Sequence, residues 1–133
     1  MNELPVVTGL LVCDLVITDA DTRNTSFINR FTTRRVNEFP TLPQRLVVAA
    51  ALVDGFGRVP LVLEVEPLDG TGPIRTIAAE VEFVDRLEEV LFVVEFTDLE
   101  FPQSGYYQLS LLAAGEPLAR KRIQILPADG VSP

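Results

Sequence analysis

Histidine is absent from these 133 residues. With it go Ser-His-Asp and Cys-His catalysis, the commonest metal ligand and the usual proton shuttle of neutral pH. There is a single cysteine, Cys13, so no intramolecular disulfide can form, and one thiol without imidazole argues against a structural zinc site. Tryptophan is missing too, which leaves a sugar-stacking platform to Tyr106, Tyr107 or phenylalanines. No apolar run approaches the ~20 residues that cross a bilayer as a helix. Gly55-Phe56-Gly57 and Gly70-Thr71-Gly72 lack the rest of a phosphate-binding loop. No capping box opens a long amphipathic run, so little or no helix is expected.

Apolar residues make up 47% and charged residues 23% of the chain, as in folded globular proteins rather than disordered ones. The net charge is −8 and the isoelectric point about 4.4. Such a chain repels nucleic acid, whose affinity comes largely from phosphate neutralisation, and is disfavoured at an anionic membrane. Two short basic clusters stand out, Arg30 with Arg34 and Arg35, and Arg120-Lys121-Arg122. Each is read as a solvated strand face, with an acidic protein partner as the functional alternative. Leu10-Leu11-Val12-Cys13 superficially resembles a lipoprotein signal, but residues 1–9 hold no Lys or Arg and Val12 is too large for the cleavage site. A soluble, cytoplasmic protein is the expectation.

What is present is period two. Leu61-Val62-Leu63-Glu64-Val65-Glu66 and Ala79-Glu80-Val81-Glu82-Phe83 alternate apolar with acidic, and Tyr107–Leu111 and Arg122–Ile125 behave likewise. Successive strand residues point to opposite faces, so these segments have one buried and one wet side. Leu46–Val53 and Val90–Phe96 are apolar on both sides; such strands need cover on both, from a loop or another subunit. Seven clusters of Gly, Pro, Asp and Asn punctuate the chain, among them Asp19–Asn24, Asp54–Gly57, Asp69–Pro73 and Ala114–Pro117. Seven turns imply about eight strands, hence an all-β sandwich or barrel. Residues 1–126 are read as one domain and 127–133 as a flexible tail.

Carboxylates are plentiful. Asp19 and Asp21 could offer oxygen to calcium, but the segment lacks the later Glu and central Gly of an EF-hand loop, and a hairpin turn capped by its own side chains is the simpler account. Glu64, Glu66, Glu80 and Glu82 share one outer face if their strands pair. Paired carboxylates can hydrolyse glycosides, yet no cleft is legible around these, and a solvated acidic face is expected. Asp14 interrupts the apolar stretch Leu10–Ile17. Read as one strand, this places Asp14 with Val12 and Val16, opposite Leu11, Cys13, Leu15 and Ile17. A buried carboxylate there needs a partner: the structural reading is a pair with an Arg such as Arg30 or Arg34, or an exposed position near an edge, and the functional one is an anchor for a ligand or partner protein. Cys13 reads as a small buried hydrophobe.

The last third resembles the closing strands of immunoglobulin-like modules: Phe101-Pro102-Gln103-Ser104-Gly105-Tyr106-Tyr107-Gln108-Leu109, then Gly115-Glu116-Pro117-Leu118, then Ile123-Gln124-Ile125. With Val12-Cys13-Asp14, Phe27 to Phe31 and Phe39-Pro40, residues 9–126 resemble an uncharacterised family of small bacterial sandwich proteins. The resemblance implies an immunoglobulin-like antiparallel sandwich of about seven or eight strands, and a corner Tyr, either Tyr107 or Tyr106, whose hydroxyl returns to a loop carbonyl. It implies no activity. The expected function is a non-enzymatic interaction or accessory module, with no cofactor and no metal. Its partner would be a protein, either a genetically linked one or a second copy in a homodimer, met through a sheet face or an edge strand. Interaction candidates are Asp14, Arg30, Arg34, Arg35, Tyr106 and Tyr107. A small-ligand or calcium-binding sandwich is the alternative, and an enzyme working by carboxylates alone the third.

Overall fold

In the computed structural model, which describes residues 2–129, the chain forms ten strands and no helix. They are β1 (Val6–Cys13), β2 (Leu15–Thr18), β3 (Thr25–Ile28), β4 (Thr33–Val36), β5 (Gln44–Val53), β6 (Gly57–Pro67), β7 (Arg75–Phe83), β8 (Val90–Leu99), β9 (Gly105–Ala113) and β10 (Glu116–Pro127). Eight of them make two sheets, ordered β1-β5-β8 and β4-β10-β9-β6-β7, while β2 and β3 form a separate two-stranded ribbon. Neighbours are antiparallel except β4 and β10, which run parallel. The chain crosses between sheets after β4, β5, β7 and β8 and forms hairpins at β6-β7 and β9-β10. That is the connectivity of an immunoglobulin-like sandwich.

Alternation accounts for the five-stranded sheet. Val59, Leu61, Leu63 and Val65 of β6 are buried at every second position; between them Val62, Glu64 and Glu66 face outward. Their inner side chains meet Leu46, Val48, Ala50 and Leu52 of β5 in one core, with Phe96, Leu109, Leu111, Ile123 and Ile125. Full burial of one such side chain contributes roughly 1.5–3 kcal/mol. The β9-β10 hairpin turns on Ala114 and Gly115, both with positive φ, 48° and 82°, the two-residue geometry whose twist suits flanking strands.

Two loops are pinned at one end of the sandwich. The Thr41 N–H donates to the Phe101 carbonyl at 3.0 Å, and the Phe101 N–H donates to the Thr41 hydroxyl at 2.9 Å. Phe101 packs edge-on against Tyr107, ring centres 4.8 Å apart. The Tyr107 hydroxyl donates to the Gln103 carbonyl at 2.6 Å. Tyr107, not Tyr106, is therefore the corner tyrosine.

The stretch Leu10–Ile17 is not one strand. It breaks at Asp14, and the expected sharing of faces fails there: Val12 joins the core, and its neighbour Cys13 is equally buried, 0% exposed. After Asp14 the chain turns into the β2-β3 ribbon. Of the seven residues read as a tail, Pro127 closes β10 and the Ala128 N–H donates to the Val36 carbonyl at 2.8 Å; residues 130–133 lie outside the described part.

Candidate interaction face and groove

β5 is buried on both sides, and the chain itself supplies the cover. Val47 and Ala49, on the side away from the core, are each only 2% exposed. Cys13 and Leu11 flank them in register on β1, and Glu95 and Val93 on β8. This outer face carries no charge until Arg45 and Glu95, which pair at its end. An uncharged sheet face in water is unfavourable, and the ribbon folds back across it. Val16 and Phe27, directly opposite each other in the ribbon, are half-buried.

The cover is incomplete. Between ribbon and sheet runs a groove of about 530 Å³, floored by Gly9, Leu11, Ala49, Ala51 and Leu91, walled by Thr25 and Phe27, with Arg23, Asn24 and Glu89 at its rim. Small side chains make the floor: Gly9 and Ala51 stand opposite each other where a register shift in β1 leaves Thr8 unpaired. Val93, beyond the ribbon's reach, is 40% exposed. The ribbon's other side exposes Leu15, Ile17 and Ile28 at 41%, 49% and 41%. They share one side, because Leu15 pairs with Ile28 and Ile17 lies two residues along the same strand.

The ribbon's base is held by a polar cluster. Arg34 of β4 forms an ion pair with Asp14, and its Nη1 donates to the Arg45 carbonyl at 3.0 Å. Its guanidinium lies 4.3 Å from the Phe31 ring centre. The Asn29 amide donates to the other Asp14 oxygen at 3.1 Å. Arg34 thus fastens the edge of one sheet to β5 of the other and to the point where the ribbon leaves β1.

The six interaction candidates do not form one site. Asp14 and Arg34 meet. Arg30 is exposed elsewhere, and Arg35 turns outward to donate to the Pro127 carbonyl at 3.1 Å. Tyr107 is buried, whereas Tyr106 is 52% exposed, beside a hollow of about 200 Å³ with Leu68, Asp69 and Gln103. The run Arg120-Lys121-Arg122 divides between the two faces of β10, Arg120 and Arg122 exposed and Lys121 half-buried.

The acidic positions also resolve. Glu64, Glu66, Glu80 and Glu82 do lie on the outer face of the five-stranded sheet, since β6 and β7 pair in register. Arg58 sits 3.7 Å from both Glu80 and Glu82. Asp19 accepts the backbone N–H groups of Asp21 and Thr22 at 2.8 and 2.9 Å, a turn cap that holds its carboxyl below the ordinary value. Asp69 is lowered by the Thr71 hydroxyl and N–H, and Glu3 by Arg86. Burial pushes the Tyr107 hydroxyl up and the Cys13 thiol up. Among the described residues no three His, Cys, Asp or Glu side chains converge on a point where a metal could sit.

What sequence reasoning missed is the groove and the exposed trio. The signal was available in part: Leu15, Ile17 and Ile28 are large apolar residues flanking a polar turn, too far from the core strands to belong to them.

A model of a family of unknown function, DUF6941, matches residues 9–126. No curated protein matches the sequence. Among solved structures, the chain is similar to an immunoglobulin-like protein from Pseudomonas aeruginosa, with 14% identity and a TM-score of 0.46 over 92% of this chain and 96% of that one. It is similar as well to parts of two longer chains. One is the alkylpurine DNA glycosylase AlkC of Pseudomonas fluorescens, bound to DNA containing an abasic site analog (9%, 0.44, covering 88% of this chain and 30% of that one). The other is a beta-glucosidase from Listeria innocua (10%, 0.47, covering 96% and 16%).

Proposed function

Since the chain belongs to the DUF6941 family of unknown function, we propose from its own geometry that it is a non-enzymatic interaction module, and that the ribbon-covered side of the β1-β5-β8 sheet is the surface it presents to a protein partner. The observation that carries this reading is the clustering of exposed apolar residues on that side: Leu15, Ile17 and Ile28 on the ribbon and Val93 beside it. Scattered apolar residues are normal on a surface, but a contiguous group marks an interaction site. The carboxylates whose proton affinity is displaced, Glu3, Asp19 and Asp69, are all displaced downward, opposite to what a general acid needs.

Site-specific photo-crosslinking in the native host tests the reading. A photoreactive residue at Ile17 should give discrete protein adducts, and one at Arg120, on the other sheet, should not. Adducts at Arg120 alone, or at neither position, would overturn it.

The groove supports a second reading, as a slot for a small apolar molecule. Its volume falls within the range of ligand pockets, ~300–1,000 Å³, and its floor is made of glycine, alanine and leucine. Here Ala49→Leu, which fills the floor, should abolish binding of an apolar dye to the folded protein. Dye binding unchanged by that substitution counts against it.

A further inference from the structure

We propose that β7 is an association edge for a second copy of this chain, the two β7 strands pairing antiparallel about a two-fold axis through Ala79. This rests on the reading of the chain as an interaction module, but uses a different surface.

Four strands end the two sheets: β1, β8, β4 and β7. Natural edges are protected against pairing by short length, bulges, charge or a covering segment. At the end of β1, the following chain covers the edge: the Phe31 N–H donates to the Val12 carbonyl at 2.9 Å, and the Asp14 N–H to the Ile28 carbonyl at 3.0 Å. β8 is interrupted, because Phe96 to Leu99 spans against only Leu46 to Gln44 on β5. β4 has four residues. β7 has nine, RTIAAEVEF, without proline or lysine. It holds unbroken register with β6 from Gly57↔Phe83 to Val65↔Arg75 and has no partner on its other side among the described strands.

The sequence of β7 is complementary to itself in one register. Side chains alternate, so pairing that keeps Ile77, Ala79 and Val81 on the core side and Thr76, Ala78, Glu80 and Glu82 in water needs an axis through a residue, not between two. An axis through Glu80 sets that carboxylate against its own copy. An axis through Ala78 leaves Glu82 and Phe83 beyond the paired stretch. The axis through Ala79 uses the whole strand. It sets Ile77 against Val81 of the second copy, Thr76 against Glu82, Ala78 against Glu80 and Ala79 against itself. No like charges then stand directly opposite, apolar meets apolar on the core side, and the smallest side chain sits at the dyad. Each chain also brings Arg58 to within 3.7 Å of its own Glu80 and Glu82, offsetting repulsion along the diagonals. A two-fold contact of this kind closes on itself and yields one ten-stranded sheet across two molecules.

The test is sedimentation velocity on the full chain from micromolar to submillimolar concentration, with Ala78 substitutions on the wet side of the strand. Ala78→Glu places a carboxylate opposite Glu80 twice per dimer and should raise the dimer Kd about 2- to 30-fold; Ala78→Arg should lower it by a similar factor. Ala79→Cys should form a disulfide-linked dimer under mild oxidation, since opposed strand residues lie within bridging distance and Cys13 is buried. A thermal melt of each variant shows that the fold is kept. A wild-type dimer indifferent to both Ala78 changes, with Ala79→Cys remaining uncrosslinked, would overturn β7 as the edge. A strict monomer would as well. Neither result touches the Ile17 crosslinking experiment, which judges the broader reading separately.

Discussion

On the outer face of the β1-β5-β8 sheet stand Leu11, Cys13, Val47, Ala49 and Leu91; on the outer face of the other sheet stand Glu64, Glu66, Glu80, Arg120 and Arg122. Both sheets bury their inner sides in the same core, so the difference lies wholly outside. Where every second residue is polar, the face is left to water. Where it is not, the chain spends the nineteen residues between Cys13 and Thr33 on a covering ribbon and its connections. The covered face holds a groove and an apolar exterior; the wet face holds charged side chains, with Arg58 within 3.7 Å of Glu80 and Glu82. Binding surfaces are expected on the first kind of face, because the second loses hydration for little gain.

The comparison breaks most sharply if a charge is placed under the ribbon. Val47→Asp should cost about 3–5 kcal/mol, the scale for an unpaired buried charge, while Val62→Asp on the wet face should cost less than about 1 kcal/mol. Urea denaturation reads both, and equal effects would mean that the ribbon does not seal the sheet. Tyr107→Phe comes next, at about 1–2 kcal/mol, because it leaves the Gln103 carbonyl without its donor. This variant also has a pH signature. Burial raises the Tyr107 pKa, so the neutral hydroxyl is favoured by folding. The wild type should hold that stability below the ordinary tyrosine value of about 10 and lose it as pH rises through the folded one; Tyr107→Phe should flatten that loss above pH about 10.

Smaller still is the latch. Arg34→Met removes the ion pair to Asp14 and the bond to the Arg45 carbonyl. It should cost about 1 kcal/mol, since the pair is partly exposed. Its sharper readout is Cys13, inert to a thiol reagent in the wild type and labelled faster when the ribbon's base loosens. At the bottom of the scale, Glu64→Gln should change stability by less than about 0.5 kcal/mol.

Much of this arrangement is readable from the residues alone. The alternation in Leu61–Glu66 and Ala79–Phe83 announces β6 and β7 and which side of each is wet, and the doubly apolar Leu46–Val53 announces a strand needing two covers. The resemblance of Ser104-Gly105-Tyr106-Tyr107 to the closing strands of immunoglobulin-like modules implies the corner, leaving only the choice of tyrosine. Three features stayed hidden. β4 carries Arg34 and Arg35 and has little apolar pattern of its own; it is a strand because Thr33 to Val36 find partners on β10. Asp14 reads as an interruption within a strand, but a short polar residue at a bend looks no different in sequence from one inside an edge. The groove depends on how far a hairpin folds over, a long-range packing outcome that no local window encodes.

The placement of β10 carries a consequence for how the molecule is made. It is the last of the described strands in chain order, yet it lies between β4 and β9 and is the strand to which β4 is joined. While the polypeptide is still emerging from the ribosome, β4 has nothing to zip onto and β9 lacks one flank. The wider sheet can close only after synthesis has passed Pro127, so the nascent chain must remain partly open, and exposed to chaperones, until the last of the described strands has been translated.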